Sequence, residues 1–490
     1  METKKEKFFK RKKSLDTTRY IDKNFVIIIL SMKKKKLDLI KDPIPHLIIK
    51  MAIPVSIGFF FHTMFNVVDT YFASQINSVA VAAITITFPI FFMIIAISSG
   101  TRQGATALIA NAEGANNKDL AKQYVIQTIS FSIVASIFIM IIGLITAPHL
   151  FKILHAEGEY FNFAIQYTNI LLYGCLFIIL DSTPTAGLNA VGDTKTYGRV
   201  FIIGFFINLI LDPLFIYGYG PIPSMGIKGI AYATISAEFI ATIYVFYRIK
   251  KMTKFFDYIT IKDFFPNIKI QFEIAKQAFP ASINMFAVGF GFFVITFFVS
   301  FFPTPETSNV SIAAYGIAIR IEQIILLPAI GLNFACLALT GQNYGALNID
   351  RIREAYLTCL KYGLILLFFG GVILYFGASF FMNLFTNDDQ VITIGTDYIQ
   401  IAAFFTPVIA VLNISIALMQ GLKKPLYTVF ISLFKEVIAS IVIIYFLSFY
   451  FNLQLKGIWS SILIVNYLSV IVFLLILNYN VKSIGLKILK

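Results

Sequence analysis

The chain has 490 residues, of which 58% are hydrophobic and only 13% are charged. A soluble protein carries charge on about a quarter of its residues, so this composition excludes a soluble globular fold. The formal net charge of +14 does not indicate nucleic-acid binding, because the basic residues are distributed over tails and loops between apolar blocks and form no folded binding module. We expect no nucleic-acid partner.

The first 45 residues form a basic tail, with clusters of Lys and Arg at 10–13 and 33–36 on either side of an apolar stretch at 25–32. The length of that stretch is marginal for a signal peptide, and no small-residue cleavage site follows it. We therefore predict a cytosolic tail that lies against anionic lipid headgroups, which makes membrane lipid its partner.

Beyond the tail, apolar blocks of about 20 residues recur, the length with which a helix crosses the hydrocarbon core. Runs such as 88–98 and 438–446 are apolar on every side, unlike the alternating strands of a membrane barrel. The pattern predicts an all-α polytopic membrane protein with twelve transmembrane helices. The predicted helices lie near residues 50–72, 82–110, 123–147, 163–190, 198–218, 227–247, 277–301, 312–340, 356–380, 395–420, 427–449 and 456–478.

The distribution of basic residues predicts the orientation. Most of the 40 Lys and Arg residues lie in the two tails and in the loops that follow even-numbered helices, whereas the other loops hold only Lys152, Lys228 and Lys456. Because cytoplasmic loops retain positive charge, we expect both termini in the cytoplasm and a location in the cytoplasmic or inner membrane.

The chain repeats itself. Residues 50–57 match residues 276–283, and residues 100–119 match residues 331–350, which lie 231 positions further along. With six helices per copy, the two copies enter the membrane in the same direction, as parallel repeats of transporters do. The repeats predict two pseudo-symmetric six-helix lobes around a central cavity. The predicted domains are a tail at 1–45, an amino lobe at 46–249, a linker at 250–275, a carboxy lobe at 276–480 and a cytosolic tail at 481–490.

Polar residues inside the helices are the candidate site, because an ionisable group there costs at least about 2.5–3.5 kcal/mol to insert. Asn208 and Asp212 share one face of helix 5, and Asn66 shares a face with Asp69 on helix 1. Thr234 of helix 6 reaches a similar depth, in the outer half of the membrane. The alternative for each residue is a structural hydrogen bond between helices.

The chemistry of these groups indicates a cation. Carboxylates, an amide and a hydroxyl are hard oxygen donors suited to sodium, while two neighbouring carboxylates also favour proton uptake. The sequence leaves sodium and proton open, and it indicates no other cofactor. Cys175, Cys336 and Cys359 show no metal-binding spacing and are interpreted as packing residues.

Four further acidic residues lie inside predicted helices. Glu238 follows Thr234 by one turn and extends the candidate site, or contacts substrate. Asp181 lies just before Pro184, where exposed backbone or a hydroxyl would satisfy it. The other two, Glu322 beside Arg320 and Glu436 beside Lys435, are interpreted as internal charge pairs or as contacts to substrate.

Several motifs resemble the multidrug and toxic compound extrusion (MATE) family: Pro54, Asn66–Phe72, Gly187–Lys195, Asn208–Ile216 and Gly229–Thr234. The resemblance covers roughly residues 45–480. It implies export of cationic, amphipathic compounds in exchange for sodium ions or protons.

The resemblance also implies site residues. It places the family's amino-lobe cation site on Asp69, Asn208, Asp212 and Thr234, and it matches Pro54 to a proline associated with bending of helix 1. Helices 7 and 10 contain no Asp or Glu over 278–300 and 400–420, so the carboxylates used by some members in the carboxy lobe have no match. We therefore expect coupling in the amino lobe.

The resulting prediction is a secondary active multidrug efflux transporter that works by alternating access and is not an enzyme. Its expected partners are small cationic or amphipathic substrates. A lipid-linked saccharide flippase of the related superfamily is one alternative, although its cavity would be basic. A membrane-embedded enzyme is another, although the four histidines are scattered.

Overall fold

The computed structural model describes residues 37–154, 156–302, 310–482 and 485. Predictions about residues 1–36, His155 and most of the carboxy-terminal tail lie outside this part of the chain.

The described residues contain twelve helices that are long and apolar enough to cross a membrane. The predicted number of spans is confirmed. Their bounds are α1 Ile44–Ile76, α2 Ser78–Gly114, α3 Lys118–Ile153, α4 Gly158–Ala190, α5 Thr194–Tyr217, α6 Ile227–Met252, α7 Ile268–Val299, α8 Val310–Gly345, α9 Ile349–Asn383, α10 Asp389–Gly421, α11 Leu426–Tyr450 and α12 Gln454–Lys482. Most of the helices extend beyond the predicted spans by a turn or more.

The segment between α6 and α7 is shorter than the linker predicted at 250–275. The side chain of Asn267 caps the start of α7 by accepting from the backbone N–H groups of Lys269 and Ile270, and such a cap satisfies donors that a helix leaves open. The polar start of α7 is therefore helical. The remaining segment includes a short 3₁₀ helix at Ile261–Phe264, and Gln127 of α3 donates to the carbonyl oxygen of Asp263 at 2.8 Å.

The sequence repeat is also a structural repeat. The turns after α2 and α8 each contain a residue with positive φ, Asn116 at 56° and Leu347 at 57°. Each turn is followed by a capping asparagine, with Asn117 accepting from Leu120 N and Asn348 from Arg351 N. Because Asn tolerates the left-handed region and Leu does not, the two copies differ in backbone strain.

We expect Leu347→Asn to stabilise the protein by about 1 kcal/mol, since it relieves this strain. The Leu347 side chain is 82% exposed, so little packing is lost. Thermal unfolding in detergent checks the gain, and the mirror change Asn116→Leu should lower the melting temperature. Shifts of the same sign for these two changes, or a melting temperature that falls in Leu347→Asn and rises in Asn116→Leu, would contradict the assignment of strain.

Two helices depart from regular α geometry. Helix α4 is interrupted at Asp181, between helical segments Gly158–Leu180 and Ser182–Ala190. Helix α11 contains π-helical segments at Phe434–Ala439 and Tyr445–Tyr450. Such π segments insert extra residues into a helix, often at functional sites. Acidic residues of interest lie at both irregularities, Asp181 at the first and Glu436 at the second.

Helices α1–α6 form the amino lobe and α7–α12 form the carboxy lobe. Within the lobes, α1 packs on α5 and α5 on α6, while α8 and α9 both pack on α10. The lobes meet where α2 packs on α7 and on α8, and where α1 packs on α8. Trp459 is 1% exposed at the centre of the carboxy-lobe core.

Glycines allow the lobes to approach each other closely. A Cβ atom added at Gly114 of α2 would lie 1.9 Å from the carbonyl oxygen of Gln342, and one at Gly345 of α8 would lie 1.9 Å from that of Asn111. These two contacts are related by the repeat. The ends of α2 and α8 therefore seal one end of the interface, which is the cytoplasmic end in the predicted orientation.

Candidate functional site

The structure brings together the four residues on which the cation site was predicted. Asp69 of α1 is 6% exposed, Asn208 and Asp212 of α5 are 0% exposed, and Thr234 of α6 is 2% exposed. The hydroxyl group of Thr234 lies 3.3 Å from Oδ2 of Asp69, to which it donates. The amide of Asn208 donates to Oδ1 of Asp212 at 3.2 Å. Asp69 also interacts with both α5 residues, so three helices meet at one polar cluster.

Hydrogen bonds within the cluster leave oxygen atoms without partners. Oδ1 of Asp69, Oδ1 of Asn208 and Oδ2 of Asp212 are all buried and accept no hydrogen bond in the structure. Buried polar atoms are normally satisfied, and a buried carboxylate is normally paired with a cation. Three unpartnered oxygens in one cluster fit the ligand set of a small cation with hard-oxygen preference.

Tyr167 of α4 was not predicted, yet it belongs to this cluster. Its side chain is 6% exposed, and it interacts electrostatically with both Asp69 and Asp212. The sequence does hold a signal for this residue. The repeat pairs Tyr167 with the residue 231 positions further along, and that residue, Tyr398, is also a tyrosine. Tyr167 adds a hydroxyl oxygen from a fourth helix.

Pro54 lies inside α1, which continues as one helix on both sides of it. Proline donates no hydrogen bond and disturbs the preceding turn of a helix. A Cβ atom added at Gly198 of α5 would lie 2.2 Å from the carbonyl oxygen of Pro54. Close packing of α1 on α5 at this level positions Asp69 beside Asn208.

A cavity extends from the cluster along α6. It is lined by Thr234 and Glu238 of α6, by His62 and Asn66 of α1, and by Phe201 of α5, among others. Glu238, predicted as an extension of the site, thus opens onto the same space as Thr234.

Asp181 belongs to a different group of residues. Its Oδ2 accepts from Thr185 at 3.5 Å, while its Oδ1 is buried without a partner. It interacts electrostatically with Arg102 of α2 and with Glu238. Asp181 is therefore not part of the Asp69 cluster, and the cavity-lining Glu238 links the two groups.

Arg102 connects the two lobes, a role that sequence reasoning missed. Its guanidinium donates to the hydroxyl of Tyr197 and, at 3.0 Å, to that of Ser99. It also contacts two rings that stack on each other, 4.7 Å from the centroid of Tyr197 and 4.8 Å from that of Phe334 on α8. Phe334 is in the carboxy lobe, so the cation–π contact crosses the interface.

We expect Arg102→Lys to destabilise the protein by about 1–2 kcal/mol, because a compact ammonium group cannot contact both rings and keep the hydrogen bonds to Tyr197 and Ser99 as a planar guanidinium does. Thermal unfolding in detergent measures the loss. Arg320→Lys is the matched control, since Arg320 is exposed on a membrane helix. Equal melting temperatures for wild type and Arg102→Lys would contradict the stacking role.

The carboxy lobe has a polar cluster of its own. Glu322 of α8 is 5% exposed and accepts from the hydroxyl of Tyr398 at 2.5 Å. It does not pair with Arg320, because residues two apart on a helix point in different directions. The predicted pair on α11 is present, with Nζ of Lys435 2.6 Å from Oε1 of Glu436.

Among the described residues, no three His, Cys, Asp or Glu side chains come together in a group that could hold a metal ion. The three cysteines are buried and free, in agreement with their interpretation as packing residues.

The family model described as MatE matches residues 54–214 and 280–446. The probable multidrug resistance protein YoeA of Bacillus subtilis is 27% identical over 386 residues, which cover 78% of this chain and 81% of that protein. A protein named FAD transporter, from Shewanella oneidensis, is 26% identical over 83% of this chain and 88% of its own length. A solved structure of a multidrug resistance MATE family transporter in an outward-facing conformation has the same fold, with a TM-score of 0.84 and 24% identity, covering 92% of this chain and 99% of that one.

The two matched segments lie one in each lobe and together cover more than half of the 490 residues. With twelve apolar helices, the protein is a multi-pass membrane protein. The two-lobe fold and the matched motifs lead to one conclusion: the chain belongs to the MatE family.

Proposed function

We propose that this protein is a secondary active efflux transporter that exports cationic or amphipathic organic compounds in exchange for Na⁺ or H⁺. The coupling site is the cluster of Asp69, Asn208, Asp212 and Thr234. The observation that carries the proposal is the set of three buried oxygen atoms without hydrogen-bond partners. Leaving such atoms unsatisfied at membrane depth is costly, and a bound cation removes that cost.

The proposed substrate class follows from charge and from the relatives. The amino-lobe cavity carries Glu238 beside aromatic and apolar walls, which favours an organic cation. One relative is named as a probable multidrug resistance protein. Another is named as an FAD transporter, so an anionic dinucleotide is the comparison substrate in the efflux experiment.

Alternating access couples the two fluxes. In our proposal the cation binds at Asp69 and Asp212 from outside and weakens the retention of substrate, so substrate leaves outward and the cation leaves inward. Such coupling requires that each ligand bind the two conformations with different affinities. The coupling is reciprocal, because each ligand changes the affinity for the other by the same factor. The Arg102–Phe334 contact between the lobes is one that a change of conformation has to break.

The remaining parts of the proposal concern the cell. The protein lies in the cytoplasmic or inner membrane, with both termini in the cytoplasm. Its partners are membrane lipid and small substrates, with no nucleic acid. The protein is a transporter and not an enzyme, and it uses no cofactor apart from the coupling ion. The unequal distribution of basic loop residues supports the orientation.

Efflux from proteoliposomes under imposed gradients tests the proposal. The full-length protein is reconstituted with a fluorescent organic cation or with FAD inside, and an inward gradient of sodium or of protons is imposed separately. We expect one of the two gradients to accelerate efflux of the organic cation at least about tenfold over the condition without a gradient.

Three outcomes would contradict the proposal. Efflux that neither gradient accelerates would exclude cation antiport. Efflux of FAD with no efflux of organic cations would retain a transporter and overturn the substrate class. Movement of a lipid-linked saccharide in the same vesicles, independent of both gradients, would favour the flippase alternative.

A further inference from the structure

The polar cluster of the carboxy lobe is unlike that of the amino lobe, because it includes a cation of its own. Lys435 forms its 2.6 Å ion pair with Glu436 while the side chains are 23% and 12% exposed. Lys435 and Glu436 both interact electrostatically with Glu322. One ammonium group is therefore paired with one carboxyl group and attracted by a second from another helix.

The structural repeat gives this cluster a position. Residue 91 of α2 corresponds to residue 322 of α8 at the spacing of 231 that aligns the rest of these helices. Phe91 lines the amino-lobe cavity, and its counterpart is Glu322. The first carboxyl group therefore stands where the amino lobe has a cavity wall.

Helix α11 places Glu436 in the same space. Ser432 donates to Asn284 of α7. Their counterparts in the amino lobe, Phe201 and Gly58, also lie side by side, because a Cβ atom added at Gly58 would be 3.2 Å from the ring of Phe201. Glu436 follows Ser432 by one turn, so it lies at the level of Gly204, which lines the amino-lobe cavity.

On helix α7, a glycine stands where the amino lobe has a large side chain. The repeat that aligns Pro54 with Pro280 pairs Phe65 with Gly291. Phe65 is another residue that lines the amino-lobe cavity. At Gly291, in contrast, an added Cβ atom would lie 2.3 Å from Oε2 of Glu436. The glutamate thus occupies room that the missing side chain leaves.

A tyrosine hydroxyl adds one further oxygen atom to this cluster. The hydroxyl of Tyr315 is buried without a hydrogen-bond partner, its side chain is 3% exposed, and it interacts electrostatically with both Glu322 and Glu436. With Tyr398, the cluster offers two carboxyl groups and two phenol oxygens. These are hard donors that suit a small metal cation.

We infer that the carboxy lobe contains a second cation-binding site and that Lys435 fills it as a tethered cation. This site lies outside the proposed coupling cluster. The lysine keeps an external ion out of the carboxy lobe, so the coupling ion binds in the amino lobe alone. Replacing the lysine by a neutral residue creates a vacancy of one positive charge, which Na⁺ fills.

Binding of radioactive sodium to the purified full-length protein tests the inference. We expect Lys435→Met to bind about one more sodium ion per protein than wild type, whatever the count for wild type is. Sodium should also raise the melting temperature of Lys435→Met, because a ligand that binds only the folded state stabilises it. Lys435→Arg keeps the cation, and Lys456→Met removes an exposed lysine, so both controls should bind as wild type does.

The double variant Lys435→Met with Glu436→Gln assigns the additional ion to this cluster and should lose it. A Lys435→Met protein that keeps a cooperative thermal transition but binds no additional sodium would overturn the inference. If Lys435→Met does not fold in the absence of salt, recovery of folding by sodium but not by choline supports the site, and equal recovery or none overturns it. Failure of the proposed coupling site is distinguishable, because Asp69→Asn would then keep gradient-driven efflux while Lys435→Met still gained a sodium ion.

Discussion

Replacing Asp69 or Asp212 by Asn should reduce gradient-driven efflux at least about a hundredfold, to the level of empty vesicles. Each substitution preserves shape but removes a negative charge from a cluster with three unpartnered oxygens. Without that charge the cation no longer offsets its loss of hydration, so its gradient cannot drive transport. Efflux from proteoliposomes under the gradient that drives wild type measures the loss.

The control for these variants is Asp389→Asn, which changes an exposed carboxylate at the start of α10 and should transport as wild type does. A second pair separates binding from packing: Thr234→Ser keeps the hydroxyl and should keep most activity, whereas Thr234→Val should lose it. Wild-type rates from Asp69→Asn and Asp212→Asn together would exclude the cluster as the coupling site.

Gly345→Ala and Gly114→Ala should each reduce efflux about tenfold or more, because they prevent the lobes from closing where the ends of α2 and α8 meet. An added methyl group would lie 1.9 Å from a backbone carbonyl oxygen of the opposite lobe. Backbone atoms of packed helices cannot yield as a flexible side chain does. Distance measurements between spin labels on the ends of α2 and α8 should show a wider separation in both variants.

Gly316→Ala is the matched control for these changes. It lies on α8 with Gly345, and an added Cβ atom there meets no atom within 4 Å. Alanine is also the better helix former by about 1 kcal/mol, so this variant should transport normally and melt no lower than wild type. Equal effects of all three substitutions would show that the close contact has no special role.

The fold could be predicted from the sequence because membrane insertion depends on local composition. Blocks of apolar residues determine twelve helices, and the repeat of residues 100–119 at 331–350 determines two similar lobes. The predicted helix ends were less accurate than the predicted number of helices. Polar turns such as 268–276 continue α7 beyond the apolar block because Asn267 caps them, and hydropathy does not report such caps.

The amino-lobe cluster was also accessible from sequence, since ionisable residues at membrane depth are rare and costly. Contacts between distant elements were not. Arg102 stacks on Phe334, 232 residues away, and nothing local to either residue indicates the pairing. Likewise, Glu322 pairs with Tyr398 rather than with Arg320, because packing of α10 against α8 decides which way the carboxyl group is satisfied.

The most direct test of the account is whether substrate displaces the coupling cation from the amino lobe. Organic cation is added to purified wild-type protein and to the double variant with Asn at positions 69 and 212, and released sodium and protons are both measured. Because coupling is reciprocal, we predict that substrate releases about one cation from wild type and none from the double variant. Equal release from both proteins, or tighter retention of the cation by wild type when substrate binds, would contradict the account.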